Sequence, residues 1–596
     1  MNQQQIPPLP DFTQMSAEMM ELARRNQEMF TAALGNPTEM MRKLDPLNIA
    51  GTFAEAAPKM SFDPMRLMQA NMELWQQHMA LWQSAAQRMA GQASEPVAKP
   101  EKGDRRFRDS EWETNPLYDY IKQSYLITSR WLVNTMAAVQ GIDERTVRKM
   151  DFYTRQFADA FSPSNFLWTN PEVMRATMQS QGQNLARGYE NFRRDMDKGQ
   201  GQLQITMTDP QAFELGVNIA TTPGKVVYQN DLLQLIQYTP TTATVHERPL
   251  LIVPPWINKY YILDLTPKNS FIKWAVGRGY TVFVVSWVNP DTKLSEKSFA
   301  DYMTEGVLGA VDAVTRASGS PDMNVIGYCI GGTLVAATLG YMAAQGDERV
   351  KSATFFATQV DFSEPGDLQV FIDEKQLGNL DSMMAEKGYL DGQAMFTTFN
   401  MLRANDLIWS FYVNNYLLGR DPAPFDLLHW NSDATRMPRC THMFYLRQMY
   451  LLNNLVKPGA IELAGVPIDL SKVTMPIYLL ASREDHIAPY PSVFKASHHY
   501  SGPVKFVLSG SGHIAGVINP PDQMKYQYWV NPRQDGHVGE LADWLNGAEE
   551  HPGSWWPDWD AWLAPKSGAS VPAREPGSGA FPVIEDAPGA YVKARS

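Results

Sequence analysis

One stretch constrains the fold more than any other: Asn324-Val325-Ile326-Gly327-Tyr328-Cys329-Ile330-Gly331-Gly332-Thr333-Leu334. A β-prone run enters Gly-x-Cys-x-Gly-Gly, and a helix of small residues, Leu334 to Gly340, leaves it. Small residues on either side of one reactive side chain mark a strand-turn-helix bend too tight for larger groups. Such a turn lifts the sulfur of Cys329 to the edge of a sheet, and the N-terminus of the following helix favours its thiolate. A free cysteine is ordinarily a small buried apolar side chain. This context instead makes Cys329 a candidate nucleophile.

A nucleophile needs a base, and the base an orienting acid, each on a loop after a later strand. Ile477-Tyr478-Leu479-Leu480-Ala481 runs into Ser482-Arg483-Glu484-Asp485-His486, and Val504 to Leu508 runs into Ser509-Gly510-Ser511-Gly512-His513. His513 is the candidate base and Asp485 the acid. His486 is the rival base, although its adjacency to Asp485 would leave that acid poorly placed to orient it, and Glu484 is the rival acid. An oxyanion site would pair the amide after the nucleophile, Ile330, with one from the loop after an early strand. The run Leu250-Leu251-Ile252-Val253-Pro254-Pro255-Trp256-Ile257-Asn258 supplies the Ile257 amide.

Around these residues the expected strands are Leu250 to Val253, Thr281 to Trp287, Asn324 to Ile326, Ala353 to Ala357, Ile477 to Ala481 and Val504 to Leu508. Short apolar runs alternating with helical patterns suit a parallel sheet covered on both faces. From Asp361 to about Lys472 the rhythm breaks into aromatic-rich helical patterns, read as a helical cap. The expected class is an α/β-hydrolase fold with a cap insertion at about 361–472, preceded by an all-helical domain. The boundaries are 1–93 (Met-rich helical), 94–109 (linker), 110–205 (helical), 206–565 (catalytic) and 566–596 (disordered tail). In the first region Met65, Met68, Met72, Trp75, Met79, Trp82, Ala86 and Met89 alternate steps of three and four, forming one apolar seam along a helix. That seam suits intramolecular packing, a coiled-coil partner, or docking on another protein or an apolar particle.

The 52 Lys and Arg against 64 Asp and Glu leave a net charge of −12, which disfavours nucleic acid or anionic lipid as a partner. With two cysteines there is no disulfide framework, and neither a signal peptide nor a run of ~18 apolar residues is evident. The expected compartment is the cytoplasm. An anionic ligand would need local cations, and Arg403 is a candidate for a phosphate, with an ion pair to Asp406 as the alternative.

Together these segments resemble the class I polyhydroxyalkanoate synthases over roughly Asp104 to Trp562. The likeness rests on Gly327-Tyr328-Cys329-Ile330-Gly331-Gly332, Pro254 to Ile262, Arg483-Glu484-Asp485-His486-Ile487, Ser511 to Pro520, Trp430-Asn431-Ser432-Asp433-Ala434-Thr435 and Gly553-Ser554-Trp555-Trp556-Pro557. It implies an acyltransferase that polymerises (R)-3-hydroxyacyl-CoA, with 3-hydroxybutyryl-CoA as the expected monomer donor, into a storage polyester. His513 would deprotonate Cys329, whose thiolate takes the acyl group. Asp485 would help to activate the 3-hydroxyl. Asn258, Arg403 and His486 are further substrate-binding candidates. The resemblance implies no metal or cofactor, CoA being released as product, and a homodimer; the aromatic-rich insertion points to the cap as its contact, and the region 1–93 before the linker would attach to the granule surface, directly or through phasin-like coat proteins. An esterase or thioesterase would share fold and triad but release free acid. A granule-coating protein without catalysis would not need the triad.

Overall fold

The computed structural model describes residues 48–536 and 538–595. They fall into two compact units: a helical one up to Met207 together with Arg403–Pro422, and a second comprising Thr208–Leu402 and the chain from Ala423 onward.

In the helical unit, α1 (Pro64–Met89) starts where Asp63 accepts the amides of Met65 and Arg66, and α2 (Pro116–Ala137) where Asn115 accepts that of Leu117. Each carries proline in its first turn, where a missing N–H costs no bond. Next come α3 (Glu144–Ala160) and α4 (Gln183–Lys198). Leu81 of α1 joins Ala98, Phe107, Trp112, Leu126 and Ile127 in the unit's core. The span 94–109, expected to be a linker, is therefore packed. Ala98 and Phe107 are buried, the Ala98 amide donates to Gln123 Oε1 (3.0 Å), and Arg106 bonds Asp104, Tyr125 and Asp159 (each 2.9 Å). The partners of its charged side chains lie up to 66 residues away in sequence, as with Asp109 and Arg175. The half of the Met-rich region before Asn48 lies outside the described residues.

The second unit is built on an eleven-stranded sheet. In chain order its strands are β1 (Gly224–Gln229), β2 (Leu233–Tyr238), β3 (Leu250–Val253), β4 (Val282–Trp287), β5 (Met323–Tyr328), β6 (Val350–Phe356), β7 (Ile477–Ser482), β8 (Val504–Ser509), β9 (Gln527–Val530), β10 (Glu549–Pro552) and β11 (Glu585–Asp586). Their order across the sheet is β10-β9-β8-β7-β6-β5-β3-β4-β2-β1-β11. The six from β4 to β8 are parallel, and antiparallel strands extend both flanks. Side chains alternate faces, so Leu251, Val253, Phe283 and Val285 enter one core cluster while Leu250, Ile252, Val282 and Val284 enter the other. Burial on both faces is why these strands read as unbroken apolar runs.

Two expectations change. The tail is ordered over its described residues, 566–595: Ser570–Pro572 pairs with Thr244–His246, β11 pairs with β1, and Val592 is buried. The insertion between β6 and β7 is not one body either, since its residues 403–422 group with the helical unit. There Tyr416 donates its hydroxyl to Asp195 (2.6 Å), and Asn184 and Asn191 donate to the carbonyls of Leu417 (2.8 Å) and Asn415 (3.1 Å).

Candidate active site

Cys329 sits between β5 and α5 (Ile330–Gln345) with φ +51° and ψ −126°. A non-glycine residue in that region stores strain, on the order of 1–3 kcal/mol, and holds it only where the surroundings over-determine the turn. Two glycines show how they do so. A Cβ on Gly327 would stand 2.4 Å from the Cα of Gly332, and one on Gly331 would stand 2.4 Å from the carbonyl oxygen of Pro254. Glycine at 327 closes the bend, and glycine at 331 lets the loop after β3 touch the start of α5.

That contact sets the loop that carries Ile257 against the start of α5, where Ile330 lies. Ile330 is the first residue of α5, so its N–H has no acceptor within the helix. Ile257 and the half-buried Asn258 lie in the loop after β3. Residues 430–435 secure this loop. Trp430 Nε1 donates to the carbonyl of Lys259 (2.7 Å), Thr435 Oγ1 to the carbonyl of Trp256 (2.6 Å), and Lys259 Nζ to Asp433 (2.6 Å), whose other oxygen accepts from Tyr261 (3.0 Å). Sequence reasoning missed these four ties. Trp430 to Thr435 could be recognised as a block, but no spacing rule connects residues more than 170 positions apart.

The loops after β7 and β8 bring the acid and base together. His513 Nδ1 donates to Asp485 Oδ2 at 2.6 Å, and the same imidazole is hydrogen-bonded to Cys329. The other oxygen of Asp485 accepts the amides of Ile487 (2.8 Å) and Ala488 (2.9 Å), so the carboxylate is fixed at both ends. Burial alone would lower the pKa of His513. The charges of Asp485 and Cys329 outweigh it and raise that pKa well above the ordinary imidazole value. The rivals stand elsewhere: Glu484 is exposed, and His486 is half-buried without being the residue at Asp485 Oδ2. Cys440 donates to Glu296 at 3.6 Å, and burial, then that carboxylate, pushes its thiol pKa up. This environment is opposite to the one a nucleophile requires.

Aromatic side chains stand near Cys329. Tyr328 donates its hydroxyl to the carbonyl of His513 (3.3 Å), and Tyr445 and Tyr450 are both within electrostatic reach of Cys329. Trp256 packs edge-on to Tyr445, and Phe362 against both tyrosines. The two tyrosines were not picked out from sequence, because aromatics at helical spacing look alike whether they fill a core or line a site. Arg403 is exposed and donates to Asp406 at 2.6 Å, the ion pair left open as its alternative role.

A parallel sheet, a strained turn carrying Cys329 and a His–Asp pair on the two following loops define an α/β-hydrolase-fold enzyme. A model of that fold matches residues 256–520. A second model, described as the N-terminus of poly-beta-hydroxybutyrate polymerase (PhaC), matches residues 103–275. Among curated proteins, the chain is 49% identical over 603 residues to a poly(3-hydroxyalkanoate) polymerase of Methylorubrum extorquens, covering 99% of each. It is 48% identical to a polymerase subunit of Rhizobium meliloti (strain 1021), over 97% of this chain and 95% of that protein. With the polymerase subunit of Cupriavidus necator it shares 43% identity over 83% of each. The chain belongs to the poly(3-hydroxyalkanoate) polymerase family.

Proposed function

We propose that this enzyme grows a polyester from (R)-3-hydroxyacyl-CoA, with 3-hydroxybutyryl-CoA as its donor, by acyl transfer through Cys329. The observation that carries the reading is the Cys329–His513–Asp485 array in a chain alignable nearly end to end with polymerases. His513 takes the thiol proton, and the thiolate attacks the thioester carbonyl. The amides of Ile330 and Ile257 hold the oxyanion. CoA departs as thiol, taking its proton from His513, and an acyl-S-Cys329 remains.

A 3-hydroxyl then attacks the carbonyl of an acyl thioester, its proton passing to His513, and one ester bond forms as one thioester breaks, the departing sulfur leaving as a thiol that takes that proton. Thioester exchange between CoA and cysteine is nearly isoenergetic, whereas thioester to oxygen ester runs downhill, so growth needs no further energy source. Both oxygens of Asp485 are already engaged, by His513 and by two backbone amides. This supports an orienting role for Asp485, with His513 as the direct proton acceptor in both steps. The aromatic side chains of Tyr328, Tyr445 and Tyr450 support exclusion of water, which would otherwise release free acid. Because the growing chain stays bonded to the enzyme, its working place is the surface of a cytoplasmic polymer granule, alongside any phasin-like coat proteins.

The test is to mix the purified chain with 3-hydroxybutyryl-CoA and follow thiol release and insoluble polymer together. Stoichiometric polymer supports the reading. Thiol release with free 3-hydroxybutyrate would make the enzyme a thioesterase, and Cys329→Ala should abolish both products.

A further inference from the structure

A cavity of about 740 Å³ opens within the helical unit, lined by the loop 101–106, by α2 and by residues 405–418 of the insertion. Sites that hold small organic ligands have volumes of about 300–1,000 Å³, so the space is of that size. Five cations line it: Lys102, Arg105, Arg106, Arg130 and Arg155. Two are neutralised within the protein, Arg106 by Asp104 and Asp159 (each 2.9 Å) and Arg155 by Asp151 (2.8 Å). The other three are not. Among the described residues the side chains of Lys102 and Arg105 have no hydrogen-bond or ion-pair partner, and Arg130 donates to a neutral acceptor, the carbonyl of Lys99. The acids on the same walls are already paired, Asp104 and Asp159 with Arg106, Glu172 with Arg420 (2.7 Å) and Asp406 with Arg403 (2.6 Å), which leaves Glu101. Three uncompensated positive charges against one negative charge surround a hollow in a chain whose net charge is −12. The local field is opposite in sign to that of the whole, and it attracts an anion.

The backbone that carries two of these cations is fixed in advance. Arg106 ties the loop to Tyr125 and Asp159, Arg130 holds the carbonyl of Lys99, and the Asp104 amide donates to the carbonyl of Glu101 (3.0 Å). Binding then orders side chains rather than a whole loop, which lowers its entropic cost. The insertion supplies a different kind of wall. Trp409 is half-buried, its ring partner among the described residues is Tyr412, edge-on at 5.7 Å, and Val413 and Leu418 line the cavity with it. An indole beside aliphatic side chains suits a planar base by stacking. Guanidinium and ammonium groups suit phosphate, the former through two parallel hydrogen bonds. The two walls together select a ligand that is anionic at one end and flat at the other. Cys329, His513 and Asp485 belong to the other unit and share no residue with this cavity.

We propose that this cavity binds a nucleoside di- or triphosphate, its phosphates on Lys102, Arg105 and Arg130 and its base against Trp409. Such a ligand joins the loop 101–106 to the stretch of the insertion that the helical unit holds. The test uses the full-length enzyme with ATP as the probe, titrated by calorimetry with and without saturating CoA. One ATP should bind per chain, with an affinity that CoA leaves unchanged. Lys102→Glu with Arg105→Glu reverses two charges that have no partner in the fold. It should weaken ATP by about tenfold or more, the loss expected for charge-assisted contacts to phosphate, while KM for 3-hydroxybutyryl-CoA barely moves. Trp409→Leu should weaken ATP but not inorganic triphosphate, which has no base to stack, and the retained triphosphate binding shows that the cavity of the variant is intact. Four results would overturn the proposal: no binding of ATP by the parent; equal affinity in the charge-reversed variant; displacement of ATP by CoA, one for one, which would make the cavity an outlying part of the thioester site; or triphosphate binding as tightly as ATP with Trp409→Leu without effect, which would make it a site for inorganic anions only.

Discussion

At the scale of single residues, the site separates side chains of the same type by what surrounds them. Cys329 and Cys440 are both half-buried, but one is strained into a turn beside an imidazole and the other faces a carboxylate. Cys440→Ala should therefore leave CoA release within a few-fold of the parent. His513→Gln should lower it by about 10² to 10⁴, the usual contribution of a general base. His486→Gln, assayed beside it, should cost far less, and the reverse ranking would move the base to His486. The raised pKa of His513 has a second consequence. A group whose pKa rises on folding adds stability that is complete below its unfolded value, 6.5, and disappears as pH climbs through the folded one. Asp485→Asn removes a main source of that rise. The melting-temperature gap between parent and variant should thus be widest at mildly acidic pH and narrow toward alkaline pH, and a gap independent of pH would exclude a charged His513–Asp485 pair. The sequence exposed this triad because a tight turn admits few residue types. It hid Tyr445 and Tyr450 because a helical aromatic obeys no such restriction.

At the scale of elements, the loop after β3 that carries Ile257 is tied to residues 430–435 of the insertion. Thr435, Trp430 and Asp433 reach the backbone or side chains of residues 256–261. Asp433→Asn keeps the shape of the carboxylate but removes the charge that Lys259 pairs with. If the ion pair positions the Ile257 amide, kcat should fall by roughly tenfold or more while KM for acyl-CoA barely moves, because an oxyanion donor acts chiefly on the transition state. A lower melting temperature with unchanged kcat would make the ties structural only. The six parallel strands were legible because they are apolar on both faces, and β3, β5, β7 and β8 run into turns that contain Pro, Gly or Ser. The flanking strands were not. β2 reads Leu-Gln-Leu-Ile-Gln-Tyr, and all six residues are buried, although two are glutamines that sequence logic sends to the surface.

At the scale of the whole chain, those two glutamines explain why residues 566–595 are ordered despite a composition of Pro, Gly, Ala and Ser. Gln237 Nε2 donates to the carbonyl of Arg574 (3.2 Å), and Gln234 Nε2 to Glu585 (2.5 Å) and Gln229 (2.7 Å). Gln234 Oε1 in turn accepts the amide of Tyr591 at 3.0 Å. The tail satisfies buried amides more than 330 residues upstream, a reason for order that local composition does not register. Removing residues 569–596 should leave both side chains short of partners at about 1–3 kcal/mol each, and should bare the edge of β1 as well. The measurable outcome is a lower urea midpoint for the truncated chain, whereas a disordered tail would leave the midpoint where it was. Gln234→Leu with Gln237→Leu distinguishes lost hydrogen bonds from lost apolar packing. In the full chain the pair strands its partners and should destabilise. In the truncated chain it removes amides that have already lost theirs, and should recover part of the midpoint. Equal effects in both backgrounds would mean that the tail stabilises through Val592 and its neighbours rather than through the glutamines.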